Sequence, residues 1–153
     1  MALPLLSQLA HVELTTPAPQ ASLEFWTQVV GLEETARDGQ SVYLRAWGDR
    51  FHHTLQLTEG AQVGLGHVGW RAAGPEELEQ AVARLAAAGA GEGWVENAMG
   101  HGRAFRYRAP GGHLHEVFWG SNVTRRRPAW SPRSQTVRSA TSPAALPRAA
   151  STT

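Results

Sequence analysis

Two histidines stand at matching positions in a repeated sequence pattern. His11 begins the segment HVELTTPAP and His67 begins HVGWRAAGP, and each segment ends on a proline eight residues after its histidine. The chain has no cysteine, so any metal ion must be held by His, Asp or Glu. A lone strand histidine is more often an ordinary packed residue, but two histidines at equivalent positions favour a shared metal site.

Two further candidate ligands come from the end of each copy. The segment RAWGD at 45–49 is similar to RAPGG at 108–112, and each follows a strand that carries an aromatic residue. Carried forward, this register makes His53 the equivalent of Glu116. Glu116 lies between two apolar residues on its strand face, where a carboxylate is costly unless it is paired or coordinated. For His53 the simpler interpretation is a partly exposed strand residue.

The elements that must position these side chains have the same order in both copies. Apolar residues alternate after each histidine, as in a strand, and helical periodicity follows. Pro19 and Pro75 suit a first helical turn, and Gly31 and Gly89 suit the left-handed stop after a helix. The residues expected on the buried helix faces are Leu23, Trp26 and Val30, then Leu78, Val82 and Leu85. We therefore predict one α+β domain of two β-α-β-β-β modules, at about 9–59 and 65–120.

The rest of the chain differs in composition. Residues 1–120 carry 8 Arg against 13 Asp and Glu, whereas residues 121–153 carry 6 Arg and no acid. We predict a disordered basic tail over 121–153, which an out-of-frame reading of a GC-rich gene would explain. The tail has one aromatic residue and no helical pattern, so neither nucleic acid nor a membrane is expected as a partner. The start lacks the features of a signal peptide and no segment is long enough to span a bilayer, which predicts a soluble cytoplasmic protein.

Three segments carry a resemblance to a known family. The segment FWTQVVGLE at 25–33 and the segment APGGHLHE at 109–116 resemble the helix-to-strand and closing motifs of the vicinal oxygen chelate superfamily. That superfamily includes glyoxalases, bleomycin- and fosfomycin-resistance proteins and extradiol dioxygenases. The segment SVYLRAWGD at 41–49, with His52 and His53, is most similar to the first domain of the catechol 2,3-dioxygenase (metapyrocatechase) family.

The resemblance covers residues 9–120 and implies a curved half-barrel that encloses a divalent metal. Dioxygenases of the family open catecholic rings with dioxygen at a non-haem iron(II) held by two His and one Glu, which match His11, His67 and Glu116 here. His53 matches a fourth inward position, which glyoxalase-type members fill with a ligand and dioxygenases leave open.

Two residues before the closing motif match catalytic positions of the family. His101 and Tyr107 stand where extradiol dioxygenases place a His and a Tyr that assist the substrate and the oxygen intermediates. The alternative for His101 is an exposed loop residue, since glycines flank it.

The leading hypothesis is a first-domain fragment of an extradiol dioxygenase that acts on an aromatic diol and dioxygen with Fe(2+). Two-domain members normally carry their iron in the second domain, so low activity of this chain alone is expected. One alternative is a single-domain glyoxalase-type or fosfomycin-modifying enzyme that uses Mn(2+), Zn(2+) or Ni(2+) with His53 as the fourth ligand. Another is a non-catalytic domain that binds a small ligand. Open sheet edges in this family also favour a homo-oligomer.

Overall fold

The computed structural model describes residues 4–120, so the predicted tail lies outside the described residues. The first half of this part contains β1 (Leu6–Thr16), α1 (Pro19–Glu24), a π-helical segment (Phe25–Val29), β2 (Glu33–Asp38), β3 (Ser41–Arg45) and β4 (Leu55–Glu59). The second half contains β5 (Gly64–Ala72), α2 (Pro75–Ala87), β6 (Gly91–Ala98), β7 (Gly102–Arg108) and β8 (Leu114–Phe118). Both halves have the predicted β-α-β-β-β order. No helix within residues 4–120 is long and apolar enough to cross a bilayer.

All eight strands join one curled, mixed sheet in the order β2-β3-β4-β1-β5-β8-β7-β6. In each module the first strand pairs in parallel with the last, β1 with β4 and β5 with β8. The two first strands then pair with each other in antiparallel fashion at the centre. This arrangement confirms the predicted half-barrel of two modules, and it places the first strand of each module beside the other module.

The helices cover one face of the sheet and leave the other open. Leu78 and Ala81 of α2 pack on Phe105 of β7 and Val117 of β8. Leu23 of α1 packs in the same way on the first module, against Leu44, Leu55 and Leu57. Side chains alternate along a strand, so the residues between these core positions point to the opposite side, which we call the open face.

The end of the first helix departs from the sequence prediction. Gly31, with a φ of +87°, ends the helical region as expected, and Gly89, with a φ of +67°, follows α2. However, the chain takes a π-helical turn over Phe25–Val29, and the extra residue rotates the end of the helix. Leu23 stays buried, but Val30 is 48% exposed, so its predicted place on the buried face was wrong.

The register of β4 also differs from the predicted repeat. Val12 pairs with Leu55, and its equivalent Val68 pairs with His115. One step further along each strand, Gln56 is therefore the structural equivalent of Glu116. The prediction that His53 holds this place was wrong, because His53 lies in the loop before β4.

Candidate metal site

Three buried side chains from the central strands meet on the open face. His11 on β1, His67 on β5 and Glu116 on β8 have ligand atoms that all lie within 4.8 Å of one another. The Nε2 atoms of His11 and His67 are 2.9 Å apart. Glu116 Oε1 lies 3.3 Å from the first and 3.4 Å from the second. The structure thus brings together the three residues that the sequence predicted as the main ligands.

A glycine makes room for one of these histidines. Gly69 lies opposite His11 in the β1–β5 pairing, and a Cβ atom built on it would lie 2.2 Å from His11 Cε1. No side chain fits there without displacing the imidazole. Gly69 therefore leaves the space that the ring of His11 occupies beside β5.

Glu116 is the electrostatic centre of the cluster. Only 1% of its side chain is exposed, and among the described residues Oε1 has no hydrogen-bond partner of good geometry, although three imidazoles surround it. Arg106 Nε lies 3.4 Å from Oε2. Burial raises the pKa of Glu116, but the contacts with His101, His11 and His67 outweigh it and hold that pKa far below its usual range. The group is therefore a carboxylate, the form that binds a metal ion.

On the side away from Glu116, His67 contacts Glu13, a residue that the sequence analysis did not identify. Its Nδ1 lies 2.7 Å from Glu13 Oε2, and Glu13 lies two residues after His11 on β1. Burial lowers the pKa of His67, but its contacts with the carboxylates of Glu116 and Glu13 outweigh burial and raise that pKa to about 9. The period of two along a strand is the signal that points to Glu13, since it places residues 11 and 13 on one face.

His101 joins the cluster from the loop between β6 and β7. It is buried, its Nε2 lies 3.1 Å from Glu116 Oε1, and its ring stacks on Phe118 with centroids 3.9 Å apart. An exposed loop residue, the alternative stated for it, is therefore excluded. Its Nδ1 is buried and has no hydrogen-bond partner within residues 4–120.

His53 lies beside the three residues without being one of them. Its ring centroid is 4.7 Å from that of His11, and its Nδ1 lies 3.0 Å from His52 Nδ1. Its Nε2 is buried and has no hydrogen-bond partner in the part of the chain that the structure describes. Burial and the neighbouring imidazoles lower the pKa of His53 to about 2, so the ring is neutral. A fourth-ligand role stays a prediction, from a loop position rather than from the strand.

Tyr107 lies on the wrong face for the catalytic role predicted for it. It pairs with His115 on β8, and the two rings stack with centroids 5.3 Å apart. Its ring packs against the core beneath α2. Arg106, its neighbour, instead points to Glu116. Two adjacent strand residues cannot share a face, so the prediction for Tyr107 is corrected.

An open cleft of about 240 Å³ lies above the cluster. His53, His67, His101 and Glu116 form its floor, and the segment 95–99 forms part of its wall. The carboxylates of Glu13, Asp38 and Glu96 also line it, and its cationic lining residues within the described part of the chain are Arg106 and His67, whose pKa is raised to about 9. A small molecule in this cleft would lie directly against the candidate ligands.

These features fit a divalent metal ion. A buried carboxylate oxygen without a hydrogen bond lies beside two imidazole nitrogens, and the nitrogens are as close together as adjacent ligands of one ion. The hydrogen bond from His67 Nδ1 to Glu13 leaves Nε2 to face the site, as in most histidine metal ligands. Two His and one carboxylate on one side of an ion leave other positions open.

The stability of the metal-free protein is expected to be highest near pH 6.5. His67 has a pKa of about 9 in the fold against 6.5 ordinarily, so its stabilising contribution is complete below pH 6.5 and is lost as pH rises through about 9. His53 has a pKa of about 2 in the fold against 6.5 ordinarily. As pH falls below 6.5, the unfolded chain therefore binds a proton that the folded chain does not, and the stability of the fold decreases. Urea unfolding in EDTA across this range measures the profile. A His67→Gln variant should lose the alkaline decline, and a flat profile in the parent would contradict the assigned charges.

Comparison with known proteins identifies the family. The model of the glyoxalase/bleomycin resistance protein/dioxygenase superfamily matches residues 8–117. The chain belongs to this superfamily. The resemblance found in the sequence is thereby confirmed, and superfamily membership agrees with the paired modules described above.

Relatives found within the superfamily include a metapyrocatechase and a dioxygenase. A metapyrocatechase of Geobacillus stearothermophilus is 50% identical over 113 residues, which cover 74% of this chain and 35% of that protein. A manganese-dependent 2,3-dihydroxybiphenyl 1,2-dioxygenase of Geobacillus genomosp. 3 is 39% identical over 116 residues, which cover 74% of this chain and 37% of that protein.

Solved structures of the superfamily agree with the fold. Homoprotocatechuate 2,3-dioxygenase of Brevibacterium fuscum superposes with a TM-score of 0.74 at 28% identity, over 80% of this chain and 35% of that one. The same enzyme has been solved with 3,4-dihydroxyphenylacetate bound. This chain therefore spans about a third of the length of these relatives.

Proposed function

We propose that the chain is the first domain of an extradiol ring-cleavage dioxygenase of the catechol 2,3-dioxygenase type, and that it binds a divalent metal itself. The observation that carries the proposal is the convergence of His11, His67 and Glu116 within 4.8 Å on the open face. The 50% identity with a metapyrocatechase supports the reaction class. The proposal covers the activity of this chain by itself and also the reaction of any longer protein that contains it.

His11, His67 and Glu116 would hold the ion, through two Nε2 atoms and a carboxylate oxygen. Iron(II) held in this way supplies a centre that brings an aromatic diol and dioxygen together and passes electron density between them. The other residues of the cluster would transfer protons or hold the ligands in position. His101 lines the cleft and its Nδ1 has no hydrogen-bond partner among the described residues, so we propose that it accepts a proton from a diol hydroxyl.

The cleft favours a neutral diol. Asp38 and Glu96 line it, while its two cations, Arg106 and His67, are already held near Glu116. A carboxylated diol would meet these two exposed acids, and the contact between like charges disfavours its binding. Catechol without an acidic substituent is therefore the substrate that we propose for testing.

Iron(II) is the proposed ion, with manganese(II), zinc(II) or nickel(II) as alternatives. Two imidazoles and a carboxylate suit iron, manganese and zinc, and the chain has no cysteine to select a softer metal. The name of one relative states that it depends on manganese, which supports testing both ions.

The proposal predicts oxygen uptake that depends on the metal ligands. Protein loaded anaerobically with iron(II) or manganese(II) is given catechol and air, and oxygen consumption is followed with an electrode. The parent is expected to consume oxygen. The rate of His11→Ala should be lower by at least about 100-fold, because loss of a residue that only supports a metal ligand already lowers affinity or activity by about 10- to 100-fold. His113→Ala, at an exposed turn, should match the parent. Equal rates in the parent and His11→Ala would remove this site from the reaction.

A second candidate is a glyoxalase-type or fosfomycin-modifying metalloenzyme with four protein ligands. The unpartnered, buried Nε2 of His53, next to His11, is the observation that favours it. In that case His53→Ala weakens metal binding as much as His11→Ala does, whereas the dioxygenase proposal expects a much smaller effect. A non-catalytic domain for a small ligand, the third possibility, would bind no stoichiometric metal. The cytoplasmic location and the homo-oligomer stay predictions.

A further inference from the structure

Glu13 occupies a special place in the repeat. In the pairing of the two modules, Val12 of β1 corresponds to Val68 of β5, so Glu13 corresponds to Gly69. Both positions touch a candidate ligand of the other module. Gly69 has no side chain and so leaves room for the ring of His11, whereas the carboxylate of Glu13 lies 2.7 Å from His67 Nδ1. The two histidines are therefore equivalent in the fold but are supported by different groups.

The first module holds this carboxylate firmly. Glu13 Oε1 accepts a hydrogen bond from Thr58 Oγ1 at 2.6 Å and another from Gln56 Nε2 at 2.9 Å. Gln56 is the equivalent of Glu116, so an amide in the first module stands where the second has the carboxylate. Gly66 leaves the space, because a Cβ atom there would lie 2.2 Å from Glu13 Oε2.

We propose that Glu13 is a positioning residue which accepts a hydrogen bond from His67 Nδ1, so that Nε2 is the nitrogen that faces His11 and Glu116 and binds the ion. The inference rests on the proposed metal-binding function. A carboxylate behind an imidazole sets its tautomer and orientation and makes it a stronger donor to a metal. In this interpretation the first module supplies His11 and also the support of His67, while the second module supplies His67 and Glu116.

The test replaces the carboxylate by an amide of the same size. Glu13→Gln removes the charge and replaces one acceptor oxygen by an NH2 group. That NH2 group must face either His67 Nδ1 or the donors of Gln56 and Thr58, and the hydrogen bond on that side is lost. Manganese(II) and zinc(II) affinities are measured at constant pH by competition with a chelator. Glu13→Gln is expected to weaken both by about 10- to 100-fold. Glu34→Gln, an exposed change of the same kind, should leave the affinities at the parent value.

A second variant and a second measurement keep the test decisive. Thr58→Val removes one donor to Glu13 without changing charge, and it should weaken binding in the same direction by a smaller factor. In metal-free protein, NMR of the imidazole nitrogens should show a protected Nδ1 proton on His67 that is lost in Glu13→Gln. Parent-like affinity in a folded Glu13→Gln protein would overturn the inference, and so would an unchanged Nδ1 signal. If the parent binds no ion, the metal-binding function fails, while the Nδ1 signal still decides the contact.

Discussion

Replacing His67 with alanine is expected to weaken the binding of a divalent ion by more than about 100-fold at neutral pH. The variant loses a ligand atom, which is worth more than the roughly 10- to 100-fold effect typical of a residue that only supports a ligand. It also leaves Glu13 without its hydrogen bond from Nδ1. Isothermal titration with manganese(II) or zinc(II), or chelator competition where binding is tight, measures the change.

The matched control for this variant is His113→Ala. His113 is exposed in the turn before β8 and lies outside the three-residue group. It should bind the ion as the parent does. If His67→Ala binds within about threefold of the parent, the ion lies elsewhere, and the proposed ligand set would have to be abandoned.

Replacing Glu116 with glutamine is expected to destabilise the metal-free protein by about 3–5 kcal/mol at pH 7, the usual cost of removing one partner of a buried ion pair. Glu116 is 1% exposed, and His67, with its pKa raised to about 9, is charged at that pH. The amide keeps the volume of the side chain but leaves this cation, and Arg106 at 3.4 Å, without the carboxylate. Urea unfolding in EDTA measures the loss.

An exposed pair supplies the control. Glu96 and Arg103 form an ion pair whose side chains are 62% and 52% exposed, so Glu96→Gln should change stability by no more than about 1 kcal/mol. An equally stable Glu116→Gln protein would mean that the imidazoles around Glu116 are neutral. The assigned charge of His67 would then be wrong, although metal binding would not be affected by that result.

Local patterns in the sequence were enough to predict the two modules. Strand alternation, a proline at the start of each helix and a glycine after it recur in both copies, and each acts over a few residues. The repeat selects His11 and His67, because equivalent strand residues of two modules lie near one pseudo-twofold axis, whereas the ligand role of Glu116 came from the resemblance of its closing motif to the family. Gly31 and Gly89 have the positive φ angles that the predicted left-handed helix stops require.

The register of β4 was decided only by the tertiary structure. The loop between β3 and β4 has no periodic pattern, so its length does not determine which residue meets β1. Pairing of Leu55 with Val12 places Gln56, and not His53, at the position of Glu116. A shift along a strand changes the face of every side chain, which is why a similar-looking segment gave the wrong equivalent.

The remaining site residues depend on which surfaces face each other. His101 is buried because its loop folds onto Phe118 and Glu116, and Tyr107 faces the helix because β7 pairs with β8 in one register. Glu13 becomes a partner of His67 only when two strands 54 residues apart pair. By itself the sequence determined the modules, since these follow from short periodicities, and it pointed to the three central candidates through the repeated histidines and the closing motif. The structure alone decided their supports and neighbours, because contacts between distant segments depend on pairing and loop geometry that no local pattern encodes.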